Sequence, residues 1–316
     1  MTYQFHPRPP NNLKNKVIVL TGGALGVGQS LVRLLHSSGA HVFFGDVLPE
    51  SGLALEQELD QAESGGPRVK FVLCDVTSYS DNVKLFETAY EVCGRVDHAI
   101  ANAGLGEQGN MFDPALTMDS VRQDPGRSMN VVEVNLKGPL YFSRLASVYL
   151  RQPAKNGGGK VGVQDKSLTL VSSVAGFRED PGLYVYTASK HGVLGLMRSL
   201  RSALSQSKPY PIRTNAICPW MTTTRLVAGL EDLWSKEGLP ANSPEDVARA
   251  IVAVLSEGKV TGGTMYIEGG RVWNVEAGIL ATRQEWLGGR LEADLETGTR
   301  LMGGGSHWVE NESSQV

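Results

Sequence analysis

Tyr186 and Lys190 stand four residues apart in a stretch with helical periodicity, so their side chains share one face. A phenol is a poor base at neutral pH, with an ordinary pKa of about 10. An ammonium group beside it stabilises phenolate; a lowering of about 3 units needs roughly 4 kcal/mol of differential interaction. Lysine and a nearby cationic ring together can supply that. The pair is a candidate for moving a hydroxyl proton, although Tyr-x-x-x-Lys is also common on amphipathic helices. Thirteen residues before Tyr186, the run Ser172-Ser173-Val174-Ala175-Gly176 closes a β-branched stretch. Ligands of open α/β sheets bind at the C-terminal ends of strands. Ser173 is expected at such an end, with the helix carrying Asn135 approaching from the preceding unit.

Nearer the N-terminus, the apolar run Lys16 to Thr21 leads into Gly22-Gly23-Ala24-Leu25-Gly26-Val27-Gly28 and then a helical pattern. A glycine turn at a helix N-terminus presents free backbone N–H groups and the positive end of the helix dipole, which suit a pyrophosphate. Gly22 and Gly26 are expected to form the turn, with the backbone of Leu25 and Val27 beside the phosphates, and Gly28 to let helix and strand pack closely. No Lys-Ser/Thr follows the last glycine, which argues against a P-loop. Asp46 lies 18 residues after Gly28, where an acid accepts from both ribose hydroxyls of an adenosine. A 2′-phosphate there meets like charge, and no Arg or Lys lies between residues 34 and 67 to offset it. NAD is therefore favoured over NADP. An ordinary turn aspartate also fits this position.

The elements that must position these residues alternate. Strands are expected at 16–21, 41–47, 69–75, 96–102, 167–173, 212–217 and 263–267, and helices at 28–39, 50–62, 80–93, 130–150, 184–206 and 244–256. Continuous apolar strands separated by helices mean a parallel sheet covered on both faces. The right-handed crossover makes it a doubly wound, Rossmann-type α/β sheet of about seven strands. The expected organisation is an N-terminal arm (1–12), one nucleotide-binding and catalytic domain (13–270), and a partly flexible C-terminal extension (271–316). Residues 105–128 and 153–166 interrupt the rhythm as inserts. Leu287, Leu291 and Leu295 recur at helical spacing, so part of the extension is expected to cover the pocket or a neighbouring subunit.

Taken together, TGGALGVG at 21–28, Asp46 and Asp75, ANAG at 101–104, VNLKG at 134–138, SSVAG at 172–176 and YTASK at 186–190 resemble the short-chain dehydrogenase/reductase family over about residues 13–270. The resemblance extends, through CPWMTTTRL at 218–226, to hydroxyprostaglandin-dehydrogenase-like members and fungal enzymes of secondary-metabolite tailoring. It implies that Tyr186 is the general acid/base, that Lys190 depresses its pKa and bonds the nicotinamide ribose, that Ser173 polarises the substrate oxygen and that Asn135 anchors a proton-relaying water. It further implies adenine contacts from Asp75 and the backbone of Val76, and a ribose-side lining of Asn102, Ala103 and Gly104. Pro219, Thr222 and Thr224 match the loop that grips the carboxamide. Two positions depart from the family pattern: Ala101 replaces an Asn, and Trp220 replaces the usual Gly. Trp220 implies φ < 0; roofing the substrate and packing into the core both fit it.

The expected reaction is oxidation of a secondary alcohol on a hydrophobic small molecule, with Phe177, Tyr184 and Trp220 beside Ser173 at the substrate. Leu183, Met221, Leu226, Leu230, Leu233 and Trp234 add an apolar lining, which fits an ordinary core face equally. The competing readings are a ketone reductase, a cofactor-assisted isomerase and a non-catalytic NAD-sensing scaffold. With 41% hydrophobic and 20% charged residues and a net charge of −3, the chain can bury a core and shows no nucleic-acid-binding stripe. No apolar run approaches the roughly 18 residues of a membrane span. Cys74, Cys93 and Cys218 form neither a disulfide framework nor a metal site, and the six histidines are scattered, so no metal is expected and a reduced, cytoplasmic setting is. The resemblance implies a homodimer or homotetramer.

Overall fold

The computed structural model describes residues 4–5, 12–59, 68–155, 164–227, 229 and 231–301. Leu230, the glycines at 157–159 and 303–305, residues 60–62 of the second expected helix, most of the 1–12 arm and the 302–316 tail lie outside the described residues. The chain begins with β1 (Gln4–Phe5) and β2 (Val17–Thr21), followed by α1 (Gly26–Ser37), β3 (His41–Asp46), α2 (Pro49–Leu59), β4 (Val69–Leu73), α3 (Tyr79–Cys93) and β5 (His98–Ala101). Next come α4 (Asn130–Val132), a π-helical turn (Glu133–Lys137), α5 (Gly138–Tyr149), β6 (Lys166–Val171), α6 (Tyr184–Ser205) and β7 (Ile212–Pro219). The remainder is α7 (Glu231–Lys236), α8 (Pro244–Ser256), β8 (Thr264–Glu268), β9 (Arg271–Asn274), α9 (Val275–Leu287) and α10 (Gly289–Leu301).

The strands form one sheet in the order β1-β9-β8-β7-β6-β5-β2-β3-β4. The seven from β8 to β4 are parallel, as the pattern predicts, and β9 and β1 add antiparallel pairs at one edge. Side chains alternate between faces: Ile18 and Leu20 pack with Leu31, Leu35 and Ile251 of α1 and α8, while Val17 and Val19 pack with Phe86, Phe142 and Met197 of α3, α5 and α6. Helix ends follow local chemistry. Ser243 and Asp246 form a capping box with Pro244 in the first turn of α8, and Gly94, at φ +72°, ends α3.

The break expected at residue 270 falls inside a hairpin, because β9 pairs with β8. Two short strands escaped the sequence pattern because runs of two and four residues carry little periodicity. Beyond them, α9 is keyed into the domain by Glu276. Its carboxylate accepts from Arg198 at 2.7 Å, Arg201 at 2.9 Å and Thr264 at 3.1 Å. Gly288, at φ +78°, separates α9 from α10, so Leu287 lies on one helix and Leu291 and Leu295 on another, where both are exposed.

At the opposite end of the sheet from the strand C-termini, Lys166 and Asp97 form a buried ion pair at 2.9 Å. Beside it, the His98 ring is fully buried with Nδ1 2.8 Å from Ser167 Oγ, and Nε2 has no partner. Burial pushes the His98 pKa down to about 4. Between pH 6.5 and 4 the unfolded chain therefore binds a proton that the fold refuses. Stability from this group is complete above about pH 6.5 and falls by about 3 kcal/mol on acidification to pH 4. Thermal melts should show this loss in wild type and a flatter slope in His98→Asn; identical slopes would assign the acid lability to other groups.

Candidate active site

After β4 the chain crosses to the other side of β2, so β2 lies between β3 and β5. A crevice opens at this switch point, outside the strand C-termini. Its floor is stitched by hydrogen bonds: Thr21 Oγ1 accepts from the N–H groups of Asn102 at 3.2 Å and Ala103 at 3.3 Å, and Asn102 Nδ2 donates to the Gly22 carbonyl at 2.9 Å. Side chains have no room here. A Cβ on Gly22 would lie 2.7 Å from Ala103 Cα, and one on Gly28 would lie 1.8 Å from the Gly22 oxygen. The N-terminus of α1 receives no side-chain capping bond and carries no acid in its first turn. Its backbone donors thus remain available to an anion, and the Gly22–Gly28 cradle fits the diphosphate of a dinucleotide.

Asp46 ends β3 at the same edge. Its Oδ2 accepts from Ala24 N–H at 2.9 Å and its Oδ1 from Leu48 N–H at 3.2 Å. The carboxylate therefore organises the turn and ties it to the glycine cradle, as the turn-aspartate reading expects. Asp75 follows β4 and accepts from Thr77 N–H and Oγ1, both at 2.8 Å. The neighbouring Val76 is buried, and its carbonyl accepts from Asn82 at 3.0 Å.

On the other side of the crevice, Ser173 leaves β6 with its hydroxyl accepting from Ala175 N–H at 3.2 Å, and Tyr186 lies near enough for the Ser173 hydroxyl to lower its pKa. One helical turn further along α6, the Lys190 ammonium lies 5.6 Å from the Tyr186 ring centre and donates to the Val171 carbonyl at 3.2 Å. Burial pushes the Lys190 pKa down to about 8. It also raises that of Tyr186, against the lowering effect of the Ser173 hydroxyl. The expected depression of the tyrosine by lysine is therefore not met in the chain alone, because both groups are desolvated. Asn135 sits at the π turn, a feature frequent at functional sites. Its Oδ1 accepts from Leu105 N–H at 2.7 Å, and its Nδ2 donates to the Leu105 carbonyl at 2.8 Å and Ser189 Oγ at 3.2 Å. Protein atoms thus occupy much of the amide expected to hold a water.

The loop after β7 closes over this crevice. The Thr224 methyl lies 3.5 Å from where a Gly26 Cβ would stand, and Leu226 approaches the corresponding position on Gly106 at 3.4 Å. Pro219 ends β7, and Trp220 N–H donates to the Ile267 carbonyl at 2.9 Å. Thr222 Oγ1 donates to the Trp220 carbonyl at 2.9 Å. As its residue type implies, Trp220 is outside the positive-φ region. Its half-buried ring packs edge-to-face on Trp234 at 4.9 Å. Phe177 packs on Tyr266 at 5.9 Å, and the exposed Tyr184 on Phe112 at 5.0 Å.

A crevice with a glycine cradle, and a Ser–Tyr–Lys cluster facing it, invites comparison with known proteins. Residues 16–233 match the family model described as short chain dehydrogenase. The chain belongs to the short-chain dehydrogenase/reductase family. It is 31% identical over 288 residues to the short-chain dehydrogenase/reductase ascJ of Acremonium egyptiacum, covering 91% of this chain and 88% of that one. It is also 31% identical over 234 residues to a 5'-hydroxyaverantin dehydrogenase of Dothistroma septosporum, covering 72% and 74%. Among solved structures, a 3-hydroxyacyl-CoA dehydrogenase type-2 from Mycobacterium avium superposes with a TM-score of 0.66 at 28% identity, over 82% of this chain and 96% of that one.

Within this oxidoreductase, sequence reasoning missed three residues that brace the site. Ser172 Oγ donates to the Lys190 carbonyl at 2.8 Å, and Ser189 Oγ to the Tyr186 carbonyl at 2.7 Å. Both lie inside the SSVAG and YTASK motifs, beside reactive residues. The third, Glu107, lies in the 105–128 insert, and nothing in its local pattern signals its partners on α6, 78 and 79 residues away. Among the described residues, no cluster of His, Cys, Asp and Glu is placed to hold a metal, and no helix is long and apolar enough to cross a membrane.

Proposed function

We propose that this dehydrogenase oxidises a secondary alcohol on a hydrophobic small molecule to a ketone, with NAD as the preferred cofactor. The observation that carries the reading is the convergence of Ser173, Tyr186 and Lys190 on the crevice beside the glycine cradle. The dinucleotide, when bound, supplies the hydride acceptor. The chain's own residues manage the proton. Ser173 Oγ holds the carbinol oxygen against Tyr186, and Tyr186 Oη receives the hydroxyl proton as general base. Lys190, fixed by Val171, favours the phenolate by its charge. Asn135 holds the Leu105 backbone at the crevice wall.

Phe177, Tyr184 and Trp220 support an apolar substrate, as do the exposed Leu183 and Leu226. The preference for NAD rests on Asp46, whose carboxylate retains lone pairs for ribose hydroxyls and repels a 2′-phosphate. No Lys or Arg lies between residues 34 and 67 to compensate it. Differential scanning fluorimetry with each cofactor at the same concentration tests this. NAD is expected to raise the melting temperature more than NADP; a larger shift with NADP would overturn the assignment.

A further inference from the structure

Helix α6 carries both Tyr186 and Lys190, yet its own N-cap residue, Leu183, makes no side-chain capping bond and its first turn holds no acid. The missing cap comes from a distant segment. Glu107 Oε2 accepts from Tyr186 N–H at 2.7 Å, and Oε1 from Val185 N–H at 3.3 Å. A carboxylate there satisfies two orphan donors and meets the positive end of the helix dipole. Bonds to an ionised acceptor are stronger and more directional than neutral ones.

The segment that presents Glu107 is itself held on both sides. Leu105 is clamped through both of its backbone groups by Asn135. Ser128 Oγ donates to the Gln108 carbonyl at 2.6 Å. Between them, Gly106 faces Leu226 of the loop after β7 so closely that a Cβ would stand 3.4 Å from its side chain. The carboxylate thus links the segment after β5 to the backbone of Tyr186.

We propose that Glu107 is a positioning residue for Tyr186: its carboxylate straps the first turn of α6 to the 105–108 segment and so sets the place of the phenol. The proposal rests on the reading of Tyr186 as the proton-transfer group. Loss of the strap lets the first turn fray, and small misplacements of reacting groups are costly in rate.

The test compares E107A and E107Q with wild type, using 1-phenylethanol and NAD well below each variant's melting temperature. In E107A, kcat should fall about 10- to 100-fold, while NAD affinity, read by protein fluorescence, stays near the wild-type value. E107Q keeps one acceptor oxygen and should recover part of the loss. In a Tyr186→Phe background, E107A should lower the residual rate no further, because the two changes act through one group. Wild-type kcat in folded E107A, or full additivity with Tyr186→Phe, would overturn the proposal.

Amide exchange in the segments 105–112 and 183–190, read by mass spectrometry, decides the strap without turnover. Faster exchange of both in E107A supports it, and unchanged protection of both overturns it. If wild type leaves 1-phenylethanol untouched while E107A speeds exchange, the strap stands and the failure belongs to the alcohol-oxidation reading.

Discussion

Replacing Tyr186 by Phe is expected to lower kcat by about 10²- to 10⁴-fold, the range that a positioned general acid or base contributes. The change removes only the phenol hydroxyl and leaves the ring in place. The glycine cradle lies elsewhere in the crevice, so NAD affinity should hold. The pH dependence gives a second signature. Because burial raises the phenol pKa, the phenolate fraction is small at neutral pH. Alcohol oxidation by wild type should therefore accelerate as pH rises, and Tyr186→Phe should lose that limb. Rates read from the appearance of NADH on a turned-over alcohol check both points; wild-type turnover in the variant would remove Tyr186 from the chemistry.

Glu276→Ala should have the largest effect on stability. Glu276 is 4% exposed and neutralises Arg198 and Arg201 at once, joining α9 to the helix that carries Tyr186. Removing one partner of a buried ion pair leaves the other uncompensated, which costs about 3–5 kcal/mol. Arg198 is 38% exposed and Arg201 30%, so water relieves part of that, placing the loss near about 3 kcal/mol. For a chain of this size the melting temperature should fall by roughly 6–12 °C. Thermal melts followed by circular dichroism measure it, with Glu276→Gln expected between the two. A fall of less than about 2 °C would show that α9 is held by other contacts.

The contrast between Asp46 and Glu107 shows what the sequence made legible. Asp46 was readable because its place follows from a strand end and a fixed distance from a glycine turn, both local properties of a βαβ unit. The seven parallel strands were readable for the same reason: each is a continuous apolar run bounded by a turn. Glu107 was not, since its partners on α6 are brought to it only by the assembled sheet. Glu276 was hidden likewise, in an extension whose leucines drew attention to a stripe that Gly288 in fact interrupts. Trp220 lies between these cases. Its residue type fixed the sign of φ, but its partner, Trp234, became visible only in the folded loop.

Protonation in the cluster was the least legible property. Sequence spacing placed Lys190 beside Tyr186, whereas burial decided the direction of both pKa shifts, and burial is a property of everything packed around the helix. In the chain alone, burial raises the Tyr186 pKa and pushes that of Lys190 down to about 8.

The most direct test of the account is a steady-state comparison of NAD and NADP with a panel of hydrophobic secondary alcohols, followed by the near-ultraviolet absorbance of the reduced nicotinamide. The account predicts net NADH formation with at least one alcohol and a larger kcat/KM with NAD than with NADP. A larger kcat/KM with NADP, or cofactor oxidation by ketones with no reduction by any alcohol, would contradict it.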